Sequence, residues 1–357
     1  MASEQIEGKT IMKQWKDLFY KTLNKNQKMN RMITTENRTT HIKRLTYIDN
    51  AKTLCIFLMV VGHYTSNSIL INYIYSFHMP ALFLISGYLY RRHDWWKTII
   101  AFGVPVLVLS SFHLVVKFII GEIRLDNISF SSILLQTIYY RYGLGVESLF
   151  NGIWFLYALI GMRFLFGDIK HLQIMRKNTI SITIIAILAF SYMVFESYLI
   201  SIDTIFHGYL IGRMVPSLPF FCFGMYLKDK NWSPQNLTIK YVALIFLLFT
   251  IEPLINGKTD INSNCYGFSY AIFAVFAILF TVMVLCISDW IPRSKYAETI
   301  SKGTLVVLGA HTPIHKILIF LLPSSLSFIF PFIAIITCYF IILISEKYFP
   351  ILLGKIK

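Results

Sequence analysis

The sequence predicts an all-α, polytopic membrane protein with about ten transmembrane helices and both termini in the cytoplasm. Three observations carry that expectation. The 357 residues are 56% hydrophobic and only 14% charged, with a mean hydropathy of +0.60, where a soluble chain carries about a quarter charged residues. Ten apolar stretches approach the roughly 20 residues that a hydrocarbon core of about 30 Å demands. Finally, the basic residues fall almost entirely in alternate loops between these stretches.

Taken in order, the predicted spans are about 53–71, 74–90, 98–120, 151–167, 179–200, 206–227, 240–257, 266–287, 303–321 and 325–346. With the N-terminus in the cytoplasm, the inside segments are 1–52, 91–97, 168–178, 228–240, 288–302 and 347–357, and they hold 26 of the 33 Lys and Arg. A bias this one-sided orients the chain. Residues 1–50 form a basic N-terminal segment, either a surface helix on anionic lipid or a poorly ordered tail. Residues 51–346 form the membrane domain and 347–357 a short cytoplasmic tail. The stretch 121–150 is polar at its start and then half apolar, which suits a re-entrant or surface helix. The polar opening of the chain is unlike a cleavable signal peptide.

The formal charge of +15 does not indicate a nucleic-acid partner, because it is spent on loops and tails that set orientation. Cys55, Cys222, Cys265, Cys286 and Cys338 show no paired spacing, so neither a metal site nor a disulfide framework is expected.

The candidate functional residues are ionisable or polar groups at membrane depth, which are costly unless they serve a cavity or a partner. On a helix at 100° per residue, Lys52 and His63, eleven apart, lie within about 20° of one face, with Asp49 about 40° away and Asn67 one turn beyond His63. That stripe faces the bundle interior. His63 lies about 16 Å deeper than Lys52. A turn near Ile71–Tyr73 would fold the first two spans into a hairpin and bring His78 to the depth of His63. Pro80 frees a backbone carbonyl nearby, and Ser86–Gly87 permits close helix packing. Arg213, among the prolines of "GRMVPSLPFF", and His311, in "LGAHTPIHK", repeat the pattern, while Asn151 and Trp154 open the fourth span. His207 reads as interfacial. A histidine bonded to a neighbouring helix is the plainer alternative for each site. Two histidines at matched depth above a lysine favour chemistry. A neutral imidazole takes a proton from a hydroxyl, and a cation at the cytoplasmic mouth suits a phosphate-bearing cosubstrate.

"RLTYIDNAKTLCIFLMVVGHY", "FHMPALFLISGYLY" and "NGIWFLYAL" resemble the acyltransferase-3 family of integral-membrane O-acyltransferases, and most closely its fucose 4-O-acetylase-like branch. The resemblance implies ten core helices and transfer of acyl groups, usually acetyl from acetyl-CoA, to hydroxyls of surface polysaccharides. The family's basic residue, ten intervening residues and His map to Lys52 and His63, so His63 inherits the catalytic role. Arginine is more usual at position 52, and lysine lacks its planar fork. In place of the family's arginine pair stand Arg91, Arg92 and Lys97. No extracytoplasmic esterase-like domain is expected.

The reading is therefore a bacterial inner-membrane O-acetyltransferase with acetyl-CoA as donor, a glycan acceptor, membrane lipid as its surroundings and no metal. His63 and His78 are assigned to catalysis, and Asn67, Asn151, Trp154, Arg213 and His311 to substrate, with Arg213 or His311 stabilising negative charge. Lys52, Asp49, Arg91 and Arg92 are assigned to the cosubstrate. Transfer is direct or passes through an acyl-histidine. A transporter or flippase for a lipid-linked sugar or small anion is the rival reading.

Overall fold

The computed structural model describes residues 45–91, 95–122, 153–167, 179–198 and 211–355. The helices are α1 (Thr46–Tyr64), α2 (Ser68–Tyr75), α3 (His78–Tyr88), α4 (Trp95–Thr98), α5 (Val104–Ile119), α6 (Trp154–Leu165), α7 (Thr179–Tyr198), α8 (Ile211–Asp229), α9 (Ile239–Asn256), α10 (Tyr270–Trp290), α11 (Lys295–Lys302), α12 (Thr304–Leu321) and α13 (Phe330–Tyr348). A two-stranded antiparallel hairpin pairs β1 (Thr259–Asp260) with β2 (Cys265–Tyr266) between α9 and α10.

Every predicted span carries helix within the described residues. Six stretches among them are long and apolar enough to cross a membrane: Ser68–Tyr88, Trp95–Ile119, Ile239–Asn256, Tyr270–Trp290, Thr304–Leu321 and Ser324–Tyr348. The apolar parts of α6 and α7 are shorter. The remaining two, α1 and α8, fall short because they carry Asp49, Lys52, Arg213, Lys228 and Asp229. Both lie inside the bundle. α1 packs against α3, α10, α11, α12 and α13, while α8 packs against α3, α6 and α7. Lipid meets the outer helices instead. On α13, Phe332, Ile336, Phe340 and Leu343 are exposed, whereas Ala334, Cys338, Ile342 and Ser345 are buried. A period of three to four thus separates a bulky outer face from a small-residue inner one. The protein is a polytopic membrane protein.

The predicted first hairpin is corrected. The first span does not run to residue 71, because α1 ends at Tyr64 and residues 65–67 are non-helical, with Asn67 extended. The Asn67 side chain accepts from the Leu70 N–H and caps α2, so Asn67 lies off the α1 stripe. Ile71–Tyr73 is helical, and the chain turns at Ser76–Phe77. A polar cap residue outcompeted continuation of the apolar helix. The N-terminal segment through Arg44 and most of the 121–150 stretch lie outside the described residues.

Ile99–Gly103 forms a π turn between α4 and α5, where Pro105 removes a backbone donor. The most extensive helix contact is α3 on α8, and two glycines make it possible. A Cβ on Gly87 would lie 1.9 Å from the Phe221 carbonyl oxygen, and one on Gly224 would lie 1.9 Å from that of Leu84. Gly87→Ala and Gly224→Ala each force the backbones apart, at a cost on the order of 3 kcal/mol. Thermal unfolding in detergent is expected to show a clear drop in Tm for both. Gly103→Ala, whose nearest neighbour would be 3.8 Å away, is expected to leave Tm within a degree or two.

Candidate active site

Polar residues in the first half of α1 anchor it to the ends of two other helices. Asn50 Nδ2 donates to the Ser288 and Ile291 carbonyls at 3.1 and 2.9 Å. Thr53 Oγ1 donates to the Ala297 carbonyl at 2.8 Å. Lys52 Nζ donates to the Ser301 carbonyl at 2.7 Å, and Ser301 Oγ donates to Asp49 Oδ1 at 2.6 Å. Lys52 therefore sits at the C-terminal, partially negative end of α11, with Asp49 holding the same turn.

Lys52 also lines a cavity of about 710 Å³ bounded by α1, α3, the α4–α5 π turn, α6 and the segment after α13. Lys97, Arg163, Lys302 and Lys355 share its wall, and none of the described residues lining it is a carboxylate. Lys302 pairs with Glu298 at 3.1 Å and Lys355 with Glu346 at 2.9 Å. The Arg163 guanidinium lies 4.7 Å over the Phe102 ring, and its buried Nε makes no hydrogen bond among the described residues. Three loop segments that the sequence assigned to one side, 91–97, 288–302 and 347–357, thus converge on one end of the bundle. Leu82, Ile85, Phe155 and Leu159 form the apolar inner wall. The site suits an elongated ligand with an anionic head and an apolar-compatible arm.

His63, at the other end of α1, is exposed and belongs to an aromatic and imidazole cluster. Its ring centroid is 5.1 Å from that of His311 and 5.9 Å from that of Tyr75, and Tyr75 is 5.0 Å from His78. His78 and His311 are 3% and 1% exposed. Gly62 makes room for Tyr75, since a Cβ there would stand 2.9 Å from the tyrosine ring. Tyr64 ties this end of α1 to α12, donating to the His311 carbonyl at 2.7 Å and stacking on His315 at 3.7 Å.

Hydrogen bonds assign two of the three imidazoles. His78 Nδ1 is 2.7 Å from the Ile74 carbonyl and His311 Nδ1 is 2.8 Å from that of Val307. A carbonyl only accepts, so each Nδ1 carries the proton, and each Nε2 in the neutral ring is an acceptor. His311 Nε2 is met by the Thr312 hydroxyl at 3.2 Å. A neutral His311 therefore offers no N–H to an oxyanion. The Tyr75 hydroxyl lies 3.3 Å from His63 Nδ1, and no described residue bonds His63 Nε2. In the tautomer in which Tyr75 accepts from Nδ1–H, Nε2 is left as a base; in the other, the phenol donates to Nδ1 and Nε2 carries the proton. Asp260, in the β hairpin outside the spans, lies within electrostatic reach of Tyr75. Burial pushes its carboxyl above the usual range, against the opposing bonds from Ser263 and Asn262.

The remaining candidates are dispersed. Trp154 is buried at the start of α6, packed 6.0 Å from Phe83. Arg213 is 1% exposed on α8, within electrostatic reach of Tyr266. Arg91 lines a separate cavity with Lys228. Asn151, Arg92 and His207 lie outside the described residues. Sequence reading did not single out Tyr75, Lys302 or Lys355. Arg163 is a cation within the predicted span 151–167, a signal of function available from the sequence.

Tyr75→Phe removes the hydroxyl partner of His63 while keeping the ring. Imidazole ¹⁵N spectra are expected to show His63 losing its single-tautomer signature. Any His63-dependent rate is expected to fall about fivefold, the equivalent of roughly one hydrogen bond of 1 kcal/mol. Unchanged spectra would exclude Tyr75 as the residue that orients His63.

No curated relative and no solved structure gives a significant match. The family model described as an acyltransferase domain, acyltransferase family 3, matches residues 45–346. That span includes the cation-lined cavity up to α13, the histidine cluster and the whole of α1, and the chain belongs to this membrane acyltransferase family.

Proposed function

We propose that the protein is an O-acetyltransferase that moves an acetyl group from acetyl-CoA to a sugar hydroxyl of a cell-surface or secreted polysaccharide, in a bacterial inner membrane. The observation that carries this reading is the placement of a cation-lined cavity and a histidine cluster at the two ends of one buried helix, α1.

In this reading the basic end faces the cytoplasm. Lys52, Lys97 and Arg163 hold the phosphates of CoA, Lys302 and Lys355 add to the same potential, and Asp49 keeps the Lys52 anchor in place. Arg91 and Arg92 contribute positive charge to the same membrane face. The thioester arm runs past Leu82 and Phe155 toward His63. His63 Nε2 takes the proton of the acceptor hydroxyl, and the oxygen attacks the thioester carbonyl. The tetrahedral intermediate expels the thiolate, the C–S bond breaks, and the thiolate takes the proton from the His63 imidazolium. The products are the O-acetyl ester and CoA thiol. His78, fixed as its Nδ1–H tautomer, faces the acceptor as a hydrogen-bond acceptor, and His311, whose Nε2 is met by the Thr312 hydroxyl, packs beside His63. Asn67, Asn151 and Trp154 remain proposed contacts of the sugar, and Arg213 a proposed cation for it.

The test is release of CoA thiol from acetyl-CoA by the purified protein, with and without an oligosaccharide acceptor. His63→Ala is expected to lower kcat by about 100-fold or more. Lys52→Ala and Arg163→Ala are expected to raise KM about tenfold with kcat little changed, the pattern of a lost binding contact. Absence of both thioester cleavage and acetyl-CoA binding in the wild type would favour transport of a lipid-linked sugar or anion through the same cavity.

A further inference from the structure

A second cavity, of about 410 Å³, lies at the same end of the bundle between α3, α7 and α8. Tyr90 and Phe166 separate it from the first. The Tyr90 hydroxyl donates to the Phe166 carbonyl at 2.7 Å, and Arg163, a wall residue of the first cavity, stands 5.8 Å over the Tyr90 ring. The acyl-transfer reading, on which this inference does not depend, uses only the charge of Arg91 from this second space.

Its lining is of two kinds. Ile182, Ile185 and Met225 make an apolar wall, while Arg91, Lys228 and Asp229 make a charged rim. Arg91 and Lys228 are near enough for their charges to repel. The Lys228 ammonium also donates to the Tyr90 carbonyl, which fixes it at the rim. Two neighbouring cations at one rim, Lys228 held there by that bond, favour an anion bound to both. Asp229 beside them opposes a ligand carrying only negative charge. The neighbouring face of α7 exposes Ile184, Ile187 and Leu188, at 50%, 57% and 64%, so the helix that forms the apolar wall also faces lipid. The cavity therefore joins the bilayer interior to a charged rim at the helix ends, the level at which headgroups lie.

We infer that this cavity binds a phospholipid whose headgroup carries an amine. Its phosphate sits between Arg91 and Lys228, its ammonium meets Asp229, and one acyl chain lies along Ile182, Ile185 and Met225. Free phosphate would leave the apolar wall unused. A purely anionic lipid would gain from the two cations but would face Asp229 unpaired.

The test is native mass spectrometry of the delipidated full chain in detergent, titrated with phosphatidylethanolamine, phosphatidylglycerol and inorganic phosphate. Phosphatidylethanolamine is expected to bind about tenfold more tightly than phosphatidylglycerol, with phosphate failing to compete. Arg91→Gln with Lys228→Gln is expected to lower binding of both lipids about tenfold, and Asp229→Asn to abolish the preference between them. Ile185→Trp fills the apolar slot without touching a charge and is expected to displace both lipids, which covers the case in which the charge variant does not fold. Lipid binding unchanged in Ile185→Trp and the charge variant overturns the site. Equal binding of the two lipids by the wild type overturns the amine assignment, and full competition by phosphate overturns a lipid ligand.

Discussion

The architecture depends on how α1 satisfies its polar first half. Asp49, Asn50, Lys52 and Thr53 would each be costly in a hydrocarbon surround. Every one of them bonds to the C-terminal region of α10, to α11 or to the link between them. Helix C-termini present carbonyls without intrahelical partners, so side-chain donors and orphan acceptors solve each other's problem. The contact joins residues some 240 positions apart, with sequence separations of 238 to 252. The first helix thereby closes the bundle against the last four. It also orients α1, presenting Lys52 to one cavity and His63 to the cluster at the other end.

Regular helices alone would leave little room for the cavity, and the chain makes room through backbone irregularities. The π turn at Ile99–Gly103 widens the start of the third predicted span, and Ala101 and Phe102 in that turn line the cavity. Gly354 adopts φ +70°, a left-handed conformation natural to glycine, and closes the far wall near the Ala101 carbonyl. On the opposite side, Gly87 and Gly224 bring α3 and α8 into direct backbone contact, and the second cavity opens only beside that contact, toward α7. Close contact on one face of α3 and a cavity on the other follow from where glycine is placed.

The apolar segments were legible because span length and loop charge are local properties, and each predicted span carries a helix. Lys52 and His63 were legible for a related reason, since eleven residues on one continuous helix preserve the face. The hairpin was misplaced because Asn67 reads equally as a polar member of a stripe or as a cap, and only the Leu70 N–H decides. Tyr75 was overlooked because an interfacial tyrosine is unremarkable by composition, and its value comes from Gly62 opposite. Lys302 and Lys355 were counted as orientation charges. Charges that read as orienting the chain are also gathered around one cavity, and no local pattern distinguishes those two uses.

The separation of the two poles constrains the chemistry. Lys52 and His63 are about 16 Å apart along α1, and the apolar wall of Leu82, Ile85, Phe155 and Leu159 occupies the interval on the cavity side. A short activated acyl group such as an acyl phosphate, held by its anion at the basic end, would leave its carbonyl far from His63. In the proposed reaction, a donor that carries its anionic head and its thioester at opposite ends of a long arm places both where the helix presents their proposed partners. α1 is pinned at Asn50 by two carbonyls and at Tyr64 by the His311 carbonyl, so under the proposed function that fixed distance would select on donor length, which a purely electrostatic site could not do.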